Sequence, residues 1–202
     1  MQEILEKIVK EIYSPNFKNL GFKKKSRNWY KDFKNFGICI NIQSSRYNDQ
    51  ANLKFTINTG IFNVESFKLF YQSEPPIFPK EYDCFNRVRI GEILRNGDYW
   101  YSLTLNTNIE KLKEKIEFDL RNQLNPYLIK LSNFNELIEF LSLMTNTNFR
   151  PSPEFPYHAI FLIKNNRINE GANILKHAYQ NAENQNYKNK ILRIMTELKV
   201  EL

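Results

Sequence analysis

At 202 residues, with 42% hydrophobic and 14% aromatic content, the chain is long enough for a sizeable core and too apolar to be disordered. No apolar run approaches the ~20 residues of a membrane span, and two cysteines, Cys39 and Cys84, are too few for a disulfide framework, so both are expected as free thiols. The net charge of +7 comes mostly from the first third, where residues 1–60 hold eleven Lys and Arg against five acids, while residues 61–130 hold ten of each. Met1 leads into Q-E-I-L-E-K-I-V-K-E-I, amphipathic and mixed in charge rather than a secretory signal, so a cytoplasmic location is expected.

In chain order, Ile4, Leu5, Ile8, Val9 and Ile12 stand at helical spacing and predict an amphipathic helix over residues 2–13, stopped by Ser14 and Pro15. The lysine run Lys23, Lys24, Lys25, with Arg27, reads as a solvated turn before a strand. It lacks the groove-length patch and stacking platform of a nucleic-acid site, so specific binding of DNA or RNA is not expected. N-W-Y-K-D-F, I-C-I-N-I-Q-S-S and L-K-F-T-I-N-T-G-I-F predict three strands joined by short turn-rich connections, hence antiparallel neighbours. Residues 64–71 suggest a short helix, and three prolines make E-P-P-I-F-P-K-E-Y-D an extended loop. C-F-N-R-V-R-I-G and D-Y-W-Y-S-L predict a fourth and a fifth strand around an N-G-D turn.

Helices follow at 108–124, capped by Asn108, and at 133–143, then a proline-rich linker at 146–156 and three C-terminal helices. The first two of these resemble one tetratricopeptide-like hairpin, with Ala159, Leu162, Ala172, Leu175 and Ala178 at the small and apolar positions. A single hairpin builds no solenoid groove, so a packed helical cap is expected rather than a tether. The fold class is therefore α+β: an antiparallel meander of about five strands with packed helices over residues 1–145, and a helical appendage over 151–202.

Alternation assigns one sheet face an unusual composition. Asn41, Gln43, Ser45, Thr56 and Asn58 supply amides and hydroxyls where a solvated sheet is normally charged, and Lys54, Arg87 and Arg89 join them. Two arginines two residues apart among neutral donors suit a carboxylate or a phosphate. The other reading is structural, with Glu81, Asp83 or Glu92 pairing the arginines internally and helices covering the amides.

The usual catalytic signatures are absent: no Gly-rich phosphate loop, no G-x-S-x-G, no H-E-x-x-H and no paired cysteine ligands. The two histidines, His158 and His177, lie in the C-terminal helices without an acidic residue three or four positions on, which favours packing or surface roles. Asp83 and Cys84 form the nearest approach to a reactive pair, but no general base adjoins them. No cofactor or metal is implied.

The collinear stretches L-G-F-K-K-K-S-R-N-W-Y, N-I-Q-S-S-R-Y, F-T-I-N-T-G-I-F, F-P-K-E-Y-D-C-F-N-R-V-R-I-G-E-I-L and D-Y-W-Y-S-L resemble the domain-of-unknown-function family numbered 4304, over roughly residues 3–143. The resemblance implies a bacterial intracellular α+β domain and carries no activity. Its distinctive positions, among them Gln43, Ser45, Asn58, Asp83, Cys84, Arg87 and Arg89, overlap the polar face. Three functions follow from the sequence: a non-catalytic module binding an anionic group through Gln43, Ser45, Asn58, Arg87 and Arg89; an immunity-like or regulatory inhibitor of a partner protein; and, least supported, an enzyme using Asp83 or Cys84. The partner, a protein or a small anionic ligand, is not readable.

Overall fold

The computed structural model describes residues 1–145 and 155–201, so the linker expected at 146–156 lies almost wholly outside the described residues. The chain divides into two compact units, Met1–Ile61 with Phe78–Ser132, and Phe62–Ile77 with Asn133–Leu202.

The first unit carries six antiparallel strands: β1 (Lys23–Lys25), β2 (Asn28–Phe33), β3 (Phe36–Ser44), β4 (Asn52–Phe62), β5 (Phe85–Arg89) and β6 (Tyr101–Thr104). The meander runs in order from β1 to β5, but β6 returns to β4 instead of extending the sheet beyond β5. Both late strands share one edge of the long β4, with β6 opposite Asn52–Phe55 and β5 opposite Asn58–Ile61.

The extra strand is the lysine run itself. Lys23, Lys24 and Lys25 pair with Tyr30, Trp29 and Asn28, and all three are exposed. Three lysines on the outermost strand blunt an edge whose unpaired N–H and C=O groups would otherwise recruit another chain. The turn expected here is a strand because edge position rewards charge, although β-propensity disfavours lysine. Replacing the three by Thr-Val-Thr should leave the fold intact and produce concentration-dependent association in light scattering; a variant that stays monomeric at high concentration would remove this role.

The core face of the sheet is apolar, with Trp29, Ile38, Ile40, Ile42, Leu53, Phe55, Ile57, Phe85 and Leu103 all buried. The N-terminal helix lies on it: Phe17 meets Trp29 edge-on at 5.0 Å and Tyr13 meets Phe55 at 6.5 Å. Ser14 and Pro15 do not stop that helix. It runs as α1 (Gln2–Ile8), a π-helical turn (Val9–Tyr13) and α2 (Ser14–Asn19). A proline inside an α-helix loses a donor and presses its ring on the carbonyl four residues back; the wider turn relieves that clash. Here the Ser14 N–H donates to the Val9 carbonyl, and the Ser14 hydroxyl donates to the same oxygen at 2.7 Å.

The same device recurs where α5 (Ile109–Asp119) passes through a π turn (Leu120–Leu124) into α6 (Asn125–Ser132), just before Pro126. The amides of Asn16 and Asn125 exchange reciprocal hydrogen bonds at 2.9 Å, tying the two interrupted helices together. Asn108 caps α5 as expected, accepting from the Lys111 N–H.

The second unit contains α3 (Val64–Tyr71), α7 (Phe134–Thr145), α8 (Phe155–Lys164), α9 (Ile168–Asn181) and α10 (Gln185–Glu197). Thus α3 and α7 group with the C-terminal helices, whereas the sequence places the boundary after residue 145. Phe70 stacks on Tyr157 at 5.6 Å, Lys190 Nζ sits 3.6 Å from the Phe70 ring centre, and Arg193 donates to the Leu69 carbonyl. At Gly171 a Cβ would lie 2.6 Å from the Ala159 carbonyl, so the missing side chain allows α9 to approach α8.

Candidate functional site

The outward face of the first unit's sheet is divided in two. The extended loop expected near the prolines covers one end: Phe78 packs edge-on against Tyr30 at 6.1 Å, and the Cys39 thiol faces the Pro79 carbonyl at 3.4 Å. Cys84 lies beneath, over Gly60, where a Cβ would come within 2.5 Å of the Cys84 Cβ. Burial pushes the Cys84 thiol well up, with the adjacent Cys39 thiol adding to the effect. A thiol so held is neutral and inert, because the thiolate is the nucleophile. Asp83 accepts from the Lys80 N–H at 2.8 Å and so fixes the short 3-10 turn Glu81–Asp83.

The other end carries the amides, joined into two side-chain hydrogen-bonded runs across the strands. Asn41 donates to Asn28 at 2.9 Å; Asn58 donates to Gln43 at 2.7 Å and accepts from Arg89 Nε at 3.3 Å. Thr56, fully buried, donates to the Tyr99 carbonyl at 3.0 Å. Most of the unusual composition is thereby explained: neutral amides both donate and accept, so neighbouring strands can be linked without a charge imbalance. Ser45 is not part of this arrangement. It lies past the end of β3, where its hydroxyl accepts from the Tyr47 N–H.

A bulge in β5 aims the arginines. Ile61 faces Phe85 and Thr59 faces Val88, so one residue of β4 opposes two of β5, with Asn86 in the left-handed region at φ 49°. The extra residue flips the strand's parity: Phe85 and Val88, three apart, both turn to the buried face, and Arg87 and Arg89 both turn outward. Strict alternation from Phe85 would put Arg87 in the core.

Each guanidinium meets a carboxylate, but in different surroundings. Arg87 Nε donates to Glu81 at 2.6 Å, and the Glu81 side chain is 9% exposed. Arg89 pairs through Nη1 with Asp98, whose side chain is 67% exposed. The Trp100 ring lies 5.1 Å from the Arg89 guanidinium, and Glu92 accepts from the Arg89 N–H at the start of the short helix α4 (Ile90–Ile93). The Arg89 hydrogen bond, followed by one from the Trp100 side chain, holds the Asp98 carboxyl below the usual range.

These groups surround an open depression of about 440 Å³, bordered by Gln43, Asn58, Glu81, Arg87, Arg89 and Asp98. The sequence expectation thus comes together at Gln43, Asn58, Arg87 and Arg89 and separates at Ser45, Asp83 and Cys84. Asp98 and Trp100 were missed. The only sequence signal for Asp98 was its place just after the N-G pair of a turn, which says that the side chain is presented but not to what.

Residues 13–130, more than half of the chain, match the family described as a domain of unknown function, DUF4304. The chain belongs to the DUF4304 family. The DUF4304 match spans all six strands and every residue bordering the depression, and stops within α6. No curated protein and no solved structure matches. Among the described residues no helix is long and apolar enough to cross a membrane, and no cluster of three His, Cys, Asp or Glu is placed to hold a metal ion.

Proposed function

We propose that this chain is a non-catalytic binding module, and that its ligand brings an anionic group to the open half of the polar sheet face, with Arg89 as the principal contact. One observation carries the reading: two guanidinium groups point out of the same face, one matched by a buried carboxylate and the other by a solvent-exposed one. A buried, paired carboxylate such as Glu81 is a structural element, since removing its partner strands a charge. A pair whose carboxylate stands mostly in water, such as Arg89 with Asp98, contributes less to stability and exchanges partners more readily.

The reading is non-catalytic because each carboxylate at the depression already serves as an acceptor, Glu81 for Arg87, Glu92 for the Arg89 backbone and Asp98 for Arg89. We place the protein in the bacterial cytoplasm, where two buried free thiols persist. The helices after residue 145 are a packed extension in this reading, not a tether.

The two arginines separate under substitution. Arg87→Met leaves Glu81 unpaired and should cost about 2 kcal/mol in urea unfolding, less than for a fully buried pair because Arg87 is itself partly exposed. Arg89→Met should cost less, about 1 kcal/mol, since it loses one long hydrogen bond to Asn58 and an ion pair with a solvent-exposed carboxylate. It should also abolish any shift of the Trp100 indole N–H resonance, which reports on the same site through Asp98, produced by a panel of small carboxylates and phosphates. Equal destabilisation by both changes, with no anion moving that resonance in the parent, would defeat the proposal.

A further inference from the structure

We infer, resting on that binding site, that its ligand carries a single carboxylate that replaces Asp98 on Arg89, so that Asp98 is a built-in competitor for the site. The geometry of Arg89 fixes the shape of the incoming group. Its Nε edge is held by Asn58 and the Trp100 ring lies 5.1 Å from the guanidinium carbon, which leaves the Nη side for a planar, bidentate acceptor. Asp98 occupies that side now.

The charge around the depression fixes the valence. Arg87 and Arg89 face Glu81, Glu92 and Asp98, so the fixed charges sum to one negative, and a dianionic phosphate is repelled. With the Asp98 side chain rotated into solvent the nearest charges balance, and one carboxylate restores the present arrangement. Glu81 cannot make the same exit, being buried against Arg87.

The turn permits the exchange. The Asp98 side chain is mostly in water, so rotation about its own χ1 clears the site without moving the sheet. Asp98 is held from its solvent-facing position by Arg89 and Trp100 alone, so its competition should weaken an external carboxylate by about fivefold.

The test follows the Arg89 Nε–H and Trp100 indole N–H resonances in the full chain, in Asp98→Ser and in Asp98→Asn, titrated at constant ionic strength with acetate, inorganic phosphate and N-acetyl-glutamate amide. Acetate should bind saturably, about fivefold more tightly in Asp98→Ser than in the parent, with phosphate weaker than acetate throughout and the Trp100 indole shift lost in Arg89→Met. The blocked glutamate binding more tightly than acetate supports a protein side chain as the source; equal binding supports a small carboxylate. Equal acetate affinity in the parent and both Asp98 variants overturns the competitor role and leaves the binding reading standing. Tighter binding of phosphate overturns the carboxylate assignment, and no saturable shift in any variant overturns both.

Discussion

Gly91→Ala should cost about 3 kcal/mol in urea unfolding, at the upper end of the usual penalty for overpacking, and should dismantle one wall of the depression. A Cβ on Gly91 would stand 1.9 Å from the Gly97 carbonyl oxygen and 2.6 Å from the Tyr99 amide nitrogen. Both are backbone atoms, so no side-chain rotation relieves the clash, and the Asn96 N–H bond to the Gly91 carbonyl holds the two segments together. The turn must move bodily, carrying Asp98 away from Arg89. Gly97→Ala is the control: it meets open space, and only the positive φ resists it, at about 1 kcal/mol. The two variants compared by denaturant unfolding and by the Trp100 indole N–H resonance decide the matter; equal, small losses would show that the 91–99 segment is not rigid.

Acid should weaken the helical second unit through His158. Burial pushes this imidazole down from 6.5 to about 4, so the folded state refuses a proton that the unfolded chain accepts. The unfolded form binds more protons between those two values, and stability therefore falls as pH falls: the contribution is complete above about 6.5 and gone by about 4. The shift corresponds to on the order of 3 kcal/mol. Unfolding free energies at pH 7 and pH 4.5 should differ markedly less in His158→Gln than in the parent. Identical pH dependence in the two proteins would assign the acid sensitivity elsewhere.

Legibility differed from feature to feature for physical reasons. The strands from Asn28 to Phe62 were readable because one buried face imposes a period of two, and no other element competes for that pattern. Arg87 and Arg89 were correctly turned outward, yet the bulge at Asn86 was invisible, since it alters pairing without altering composition. The lysine strand was lost because its residues are chosen for an edge position that exists only once the sheet is assembled. Glu81 was one of three acids near the arginines, and nothing local selects it over Asp83 or Glu92; the 3-10 turn and the loop covering the face make that choice. Asp98 reaches Arg89 only because β6 doubles back to β4.

The paired π turns change what a proline means in this chain. An α-helix advances about 100° per residue, so one residue absorbed into a wider turn rotates everything after it by that angle relative to an uninterrupted screw. Ile116, Leu120, Leu124 and Leu128, each four apart and all buried, show the result: a stripe that would drift around a regular helix stays on one side. Pro15 and Pro126 therefore act as phase markers rather than as punctuation. Deleting one residue within Leu120–Leu124 should therefore let the segment close into a regular α-turn with Leu128 and Leu131 still on the core side, whereas forcing the full-length segment into a regular α-turn would rotate Leu128 away from the core.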